Sequence, residues 1–153
     1  MAMNKAQWQN LIPHRGAMSL LDALVEFDDE RIHLTAGSHR RLDNPLRMDG
    51  VLRAVHLCEY GAQAMAVHGG LLAQRAGVCA APGMLVSLRA VRLALARIDD
   101  LPQHLDVRAH KLLDGAGSWQ YAFRVEHAGA VIGEGRAAVV AAGAIAGAGP
   151  QAG

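Results

Sequence analysis

The run from Val51 to about Gln74 constrains the fold most, because it reads as one long helix that is apolar nearly all round. A helix lying on a surface shows a single apolar stripe, so one that is apolar on every side has to be enclosed. Asp49 is the expected N-cap, Gly69–Gly70 an interruption, and Gly77 the stop. The second half of the chain supplies the enclosure. Leu105, Val107, Ala109, Lys111 and Leu113 alternate with more polar neighbours, and Trp119, Tyr121, Phe123 and Val125 do the same. Asp114–Gly117 makes the hairpin turn between them. Met84–Ala96 and Val131–Ala142 complete the strands, with a turn at Ala128–Gly129.

Ahead of the helix, Asn4–Leu11 is expected as a short helix broken at Ile12–Pro13. Met18–Glu26, whose leucines also suit a helix, and Arg31–Ala36 then read as a strand pair turning at Asp28–Asp29. The order is two strands, one buried helix and four strands, which is an α+β layer arrangement. Residues 1–142 form one domain on this reading, and the Ala/Gly/Pro tail 143–153 is expected to be disordered.

Composition limits the function. Apolar residues are 52% of the chain but aromatics only 4%, so the core has to be built from Ala, Val, Leu and Met. Charged residues are 19%, which leaves the surface short of charge and favours burying part of it in an oligomer. Fifteen basic against 14 acidic residues give a net charge of +1, which argues against a nucleic-acid binder relying on overall positive charge. No run reaches the roughly 20 apolar residues that a membrane helix needs. Cys58 and Cys79 lack metal-ligand spacing and read as reduced thiols of a cytoplasmic protein. Eight histidines fall into no metal-binding signature, and no phosphate-cradling glycine loop is present, so neither metal nor cofactor is expected.

The most informative residue is Glu59, the only acidic residue between Asp49 and Asp99. An unpaired carboxylate inside an apolar helix is costly, so either a partner satisfies it or its proton is held more tightly. A carboxyl group that keeps its proton near neutral pH can act as a general acid. His56, three residues before, and Gln63, four after, share its helix face. The plainer alternative is a polar stripe facing solvent or a neighbouring subunit. Cys58 reads as a structural thiol and His68 as a packed, hydrogen-bonded histidine. The His39–Arg53 segment sets four arginines against Asp43 and Asp49. It is either a solvated loop or a basic patch for an acidic carrier protein or a phosphopantetheine phosphate.

Two motifs carry a family resemblance. Leu11–Asp22, reading LIPHRGAMSLLD, and Glu59–Ala64, reading EYGAQA, resemble hotdog-fold 3-hydroxyacyl-[acyl-carrier-protein] dehydratases. Asn44–Arg47 and Ala66–Gly70 resemble more particularly the aryl polyene branch. The resemblance implies a hotdog fold, a curved antiparallel sheet wrapped around one long central helix, assembled as a dimer of hotdogs with sites across the interface. It implies dehydration of 3-hydroxyacyl thioesters, in which a histidine takes the C2 proton and the helix carboxyl protonates the departing hydroxyl. A backbone N–H at the helix start polarises the thioester carbonyl.

Glu59 matches the carboxyl, Gly50 the helix-start glycine, and Gln63 the glutamine one turn beyond. Where the branch carries its histidine this chain has Asn44, and an amide cannot accept a proton at neutral pH. His39 or His56 is then the candidate base. Acyl-carrier protein or acyl-CoA thioesters are the expected partners, with a homodimer, or a heterodimer with an active dehydratase. The alternatives are an acyl thioesterase using Glu59 with Gln63, and a non-catalytic acyl- or carrier-binding subunit.

Overall fold

The computed structural model describes residues 2–12, 16–78 and 83–141. Among them the chain forms strands β1 (Met3–Asn4), β2 (Ala23–Phe27) and β3 (Arg31–Ala36), then helix α1 (Leu57–Arg75). Strands β4 (Gly83–Leu93), β5 (Leu105–Gly115), β6 (Ser118–His127) and β7 (Ala130–Ala141) follow. The strands make one antiparallel sheet in the order β1-β2-β3-β5-β6-β7-β4. The period-2 pattern has its expected effect: Leu105, Val107 and Ala109 of β5 and Tyr121, Phe123 and Val125 of β6 are buried in one core with α1. Contact is closest at Gly61, where an added Cβ would stand 2.6 Å from the Phe123 ring.

α1 begins later than the sequence suggests. Asp49 is not its N-cap: φ is 54° at Asp49 and 75° at Gly50, and the two form a tight turn closed by Met48 and Val51. A single 3-10 turn at Ala54–His56 then leads into the helix. Nor do Gly69 and Gly70 interrupt it, because Leu11 packs where a Gly70 side chain would otherwise stand. Gly77 is the stop, with its N–H on the Gln74 carbonyl and the Val78 N–H on that of Ala73.

The amino-terminal segment is two 3-10 turns, Lys5–Gln7 and Gln9–Leu11, after the short β1, and not one helix. Its role is to cap the core with Trp8 and Ile12, both fully or almost fully buried. The strand expected from Met18 begins only at Ala23, because Gly16–Met18 forms a 3-10 turn and Met18–Leu20 is held against α1. Pro13–Arg15, Cys79 and the tail 143–153 lie outside the described residues.

Two surfaces of this sheet–helix sandwich are left open. One is the α1 stripe of Cys58, Glu59, Ala62 and Ala66, with Val55 of the preceding turn, none of which is fully covered. The other is β4, which among the described residues pairs only with β7 and exposes Met84, Leu85, Val86, Leu88, Val91 and Leu93. Among the described residues no helix is long and apolar enough to cross a membrane.

Candidate functional site

Residues 37–53 run from β3 to α1 and carry three of the candidate residues. The loop is held by its own polar groups. Arg47 donates Nε to the Arg41 carbonyl at 2.8 Å, Nη1 to that of Gly50 at 2.9 Å and Nη2 to that of His39 at 3.3 Å. Asp99 receives the Leu52 N–H at 3.0 Å and pairs with Arg97, and these contacts hold its carboxyl far below the usual carboxylate range. Gly50 therefore sits in an exposed hairpin seven residues before α1, apart from the helix start. Its left-handed φ is what the tight turn needs of a glycine.

Asn44 is almost fully buried and points into the fold. Its Oδ1 accepts the Leu46 N–H at 2.9 Å, and its Nδ2 donates to the Ser38 carbonyl at 2.9 Å and to the Tyr60 hydroxyl at 3.4 Å. Ser38 Oγ bonds the Leu20 carbonyl and the Tyr60 hydroxyl, both at 2.7 Å. A carbonyl only accepts, so the Ser38 proton goes to Leu20 and the Tyr60 O–H donates to Ser38. The result is a directional chain from Asn44 through Tyr60 and Ser38 to Leu20. Burial raises the Tyr60 phenol above its ordinary value.

Glu59 lies in the first turn of α1, where a negative side chain is favoured by the helix dipole. It is half-buried, not enclosed in apolar surroundings, and Gln63 Nε2 lies 3.4 Å from its Oε1. Gln63 is fully buried and also ties down the segment before β2. It donates to the Met18 carbonyl at 2.7 Å and accepts the Leu20 N–H at 2.9 Å. The expected partner for the carboxylate is thus present, one helical turn away.

The two candidate histidines are placed very differently. His39 is fully buried, and its Nε2 contacts the Leu101 carbonyl at 3.1 Å. Burial lowers its pKa from the ordinary 6.5. His56 is the residue before α1, half-exposed and three residues ahead of Glu59. No hydrogen bond among the described residues joins either ring to Glu59. The structure brings Glu59 and Gln63 together, sets Asn44 on Tyr60, and leaves His39 and Gly50 in separate parts of the loop.

Tyr60 and Ser38 escaped the sequence reading. Both are common residue types, and only the fold puts their hydroxyls together. His68 is packed as expected, with Nδ1 2.7 Å from the Tyr121 hydroxyl and Nε2 2.8 Å from the Asp28 carbonyl.

Known structures share this architecture. A chain of the dehydratase heterocomplex ApeI:P from Xenorhabdus doucetiae superposes with a TM-score of 0.78 at 24% identity, over 87% of this chain and 89% of that one. A proposed thioesterase from Shewanella oneidensis gives 0.61 at 15% identity, over 90% and 93%. AziG from S. sahachiroi gives 0.59 at 16%, over 81% and 91%. At these identities the likeness establishes the hotdog architecture alone. No curated protein matches the chain. The sequence pattern of the ApeP-like family, described as ApeP dehydratase, matches residues 6–147, nearly the whole chain. This protein belongs to the ApeP-like dehydratase family, built on the hotdog fold.

Proposed function

We propose that the chain is a cytoplasmic, dehydratase-like subunit acting on 3-hydroxyacyl thioesters of acyl-carrier protein in fatty-acid or polyene-type synthesis. One observation carries the reading: Glu59, held by Gln63, stands on the open stripe of an otherwise enclosed helix. A substrate or second subunit laid on that stripe meets a positioned carboxyl group. In the elimination, the Glu59 carboxyl gives its proton to the C3 hydroxyl, which leaves as water. A base takes the C2 proton, and the electron pair of that C–H bond becomes the C2–C3 double bond.

His56 is the better base within this chain, because it is half-exposed next to Glu59. His39 is fully buried and bonded to Leu101, and a proton on its ring is disfavoured by burial.

The subunit works as a dimer joined along β4, whose outer edge pairs with no other described strand and whose exposed apolar side chains need a cover. A heterodimer with an active dehydratase is the form its relative in the ApeI:P heterocomplex suggests. A specific observation also favours a binding role without turnover. Asn44, in place of the branch's histidine, spends its amide on Ser38, Tyr60 and Leu46 and offers no base.

The test is incubation with 3-hydroxyacyl-acyl-carrier protein, alone and with a dehydratase partner, reading enoyl product and free thiol separately. Enoyl product that disappears in Glu59→Gln supports the reading. Free thiol without enoyl product would make it a thioesterase, and carrier binding with no turnover in either setting would make it a binding subunit.

A further inference from the structure

The face of the sheet turned away from α1 carries a basic band that the candidate site does not use. Two cross-strand rows run over five strands. The first aligns Arg92, Glu134, Arg124, Arg108 and His33 from β4 to β3. The second aligns Arg89, Arg136, Ala122, His110 and Arg31. Residues of both rows, with Glu26 and Asp28 at the β2 end, line a groove of about 880 Å³ in which arginines outnumber acids and whose centre is low because Ala122 has almost no side chain.

Two features mark the band as more than a solvated surface. Like charges sit directly opposite each other at Arg89–Arg136 and Arg108–Arg124, an arrangement that destabilises a sheet. Glu126 offsets the second pair, at 2.8 Å from Arg108 and 3.5 Å from Arg124. Among the described residues Arg89, Arg92 and Arg136 form no ion pair, although Glu134 stands opposite Arg92 in the register. The alignment itself is also bought with strain. Between Arg89 and Arg92 the strand takes three steps where β7 takes two, a bulge in which Ala90 adopts φ 53°. In a regular strand Arg92, three residues on, would fall on the opposite face from Arg89, and the bulge brings both to one face; bulges are a recognised means of re-aiming a side chain.

We propose that this outer face is a docking surface for an acidic helix of a partner protein, namely the acyl-carrier protein. The identity of the partner rests on the reading given under Proposed function. Strands stand about 4.8 Å apart, so each row spans about 19 Å. A helix laid across the strands presents side chains from one face about every 5.4 Å, close to that spacing. A second copy is a poor occupant, since the Arg89–Arg31 row would meet itself, cation on cation. A nucleic-acid backbone is disfavoured by Glu134 inside the first row and by Glu126 beside it, acids that a helix of mixed charge can accommodate. The groove lies across the sheet from α1, so it recruits the carrier and does not itself deliver the thioester.

Apo-acyl-carrier protein, lacking the pantetheine arm, is therefore the right probe, titrated calorimetrically against the full chain. Binding should be equal in wild type and Glu59→Gln, weaken with salt, and fall at least about tenfold in Arg92→Glu/Arg136→Glu. If that double variant does not fold, Arg136→Ser and Ala122→Tyr carry the same expectation. Unchanged affinity in these variants overturns the proposal, as does loss of binding on Arg40→Glu/Arg41→Glu in the loop instead. Tighter binding of a thymidine oligonucleotide than of apo-carrier would also overturn it. Turnover of a carrier-free N-acetylcysteamine thioester should be untouched by the groove variants. Its absence in wild type would count against the dehydratase reading, while the titration still decides the docking surface.

Discussion

Gln63 and Glu59 lie one helical turn apart, and the Gln63 carboxamide serves two masters: 3.4 Å from the Glu59 carboxylate, and bonded on both ends to the Met18–Leu20 backbone. The carboxylate is thereby fixed to the segment that leads into β2. Gln63→Leu keeps the helix but leaves a buried N–H at Leu20 and a carbonyl at Met18 without their partner. Removing such partners costs about 1–3 kcal/mol for each buried group, so a loss of about 2–6 kcal/mol is expected by urea denaturation. Any enoyl-forming activity should fall with it, whereas Gln63→Glu should weaken Glu59 by charge repulsion at a similar stability cost. A Gln63→Leu variant of wild-type stability would refute the anchoring role.

The Asn44–Tyr60–Ser38 chain makes a second expectation. Asn44→Ala removes two donors and one acceptor from a buried site, and Tyr60→Phe removes the hydroxyl between its neighbours. Each should destabilise by about 1–3 kcal/mol, and a double-mutant cycle should give a coupling of about 0.5–1.5 kcal/mol. Additive losses would mean that the 3.4 Å contact contributes nothing. Asn44→His should lower stability as well, because an imidazole cannot reproduce the bonds to Ser38, Tyr60 and Leu46 together.

The enclosed helix and the strands β5 to β7 were legible because their cause is local: alternation and apolar runs are written in consecutive residues. The start of α1 was not, because Asp49 and Gly50 suit a helix cap and a tight hairpin equally, and only the Met48–Val51 pairing decides between them. Glu59 and Gln63 were legible as one helix face. The place of Asn44 was not, since its partners Ser38 and Tyr60 lie six and 16 residues away and carry no signal of their own. His39 likewise reads as a loop histidine until the chain following Ile98 closes over it. The outer basic band depends on the register of five strands and on a one-residue bulge, neither of which local sequence states.

β4 should be where two chains meet. Among the described residues its other edge is unpaired, and Leu85, Val86 and Leu88 are 44%, 51% and 40% exposed, unusual for a strand interior this apolar. A charge at the centre of such a patch is strongly unfavourable in an interface and nearly free on a monomer's surface. Val86→Lys with Leu88→Glu should therefore shift the chain from dimer to monomer in light scattering, with the circular-dichroism spectrum retained. A wild-type chain that is monomeric at micromolar concentration would remove the basis for this expectation.

Stability should fall as pH drops below about 6.5, and two buried histidines set the sign. His39 and His68 are fully buried, and burial is the largest cause lowering the pKa of each from 6.5. The Asp28 carbonyl can only accept, so His68 carries its proton on Nε2, and its neutral Nδ1 accepts the Tyr121 hydroxyl. In the unfolded chain both rings take up a proton near pH 6.5, while the folded rings resist it. The unfolded state then binds more protons, so the stabilising contribution is complete above pH 6.5 and shrinks as pH falls toward the lowered folded values. Each histidine adds at most about 1.4 kcal/mol per pH unit to that slope. Asp99, held far below the usual carboxylate range, loses its contribution only in stronger acid, outside the interval from pH 7.5 to 5.5. Urea denaturation across that interval should show declining stability in the wild type. In His68→Gln the slope should be roughly halved, although the variant starts from a lower stability because the Tyr121 and Asp28 contacts are disturbed. A wild-type curve that is flat or rising toward pH 5.5 would mean that neither ring is kept neutral by the fold.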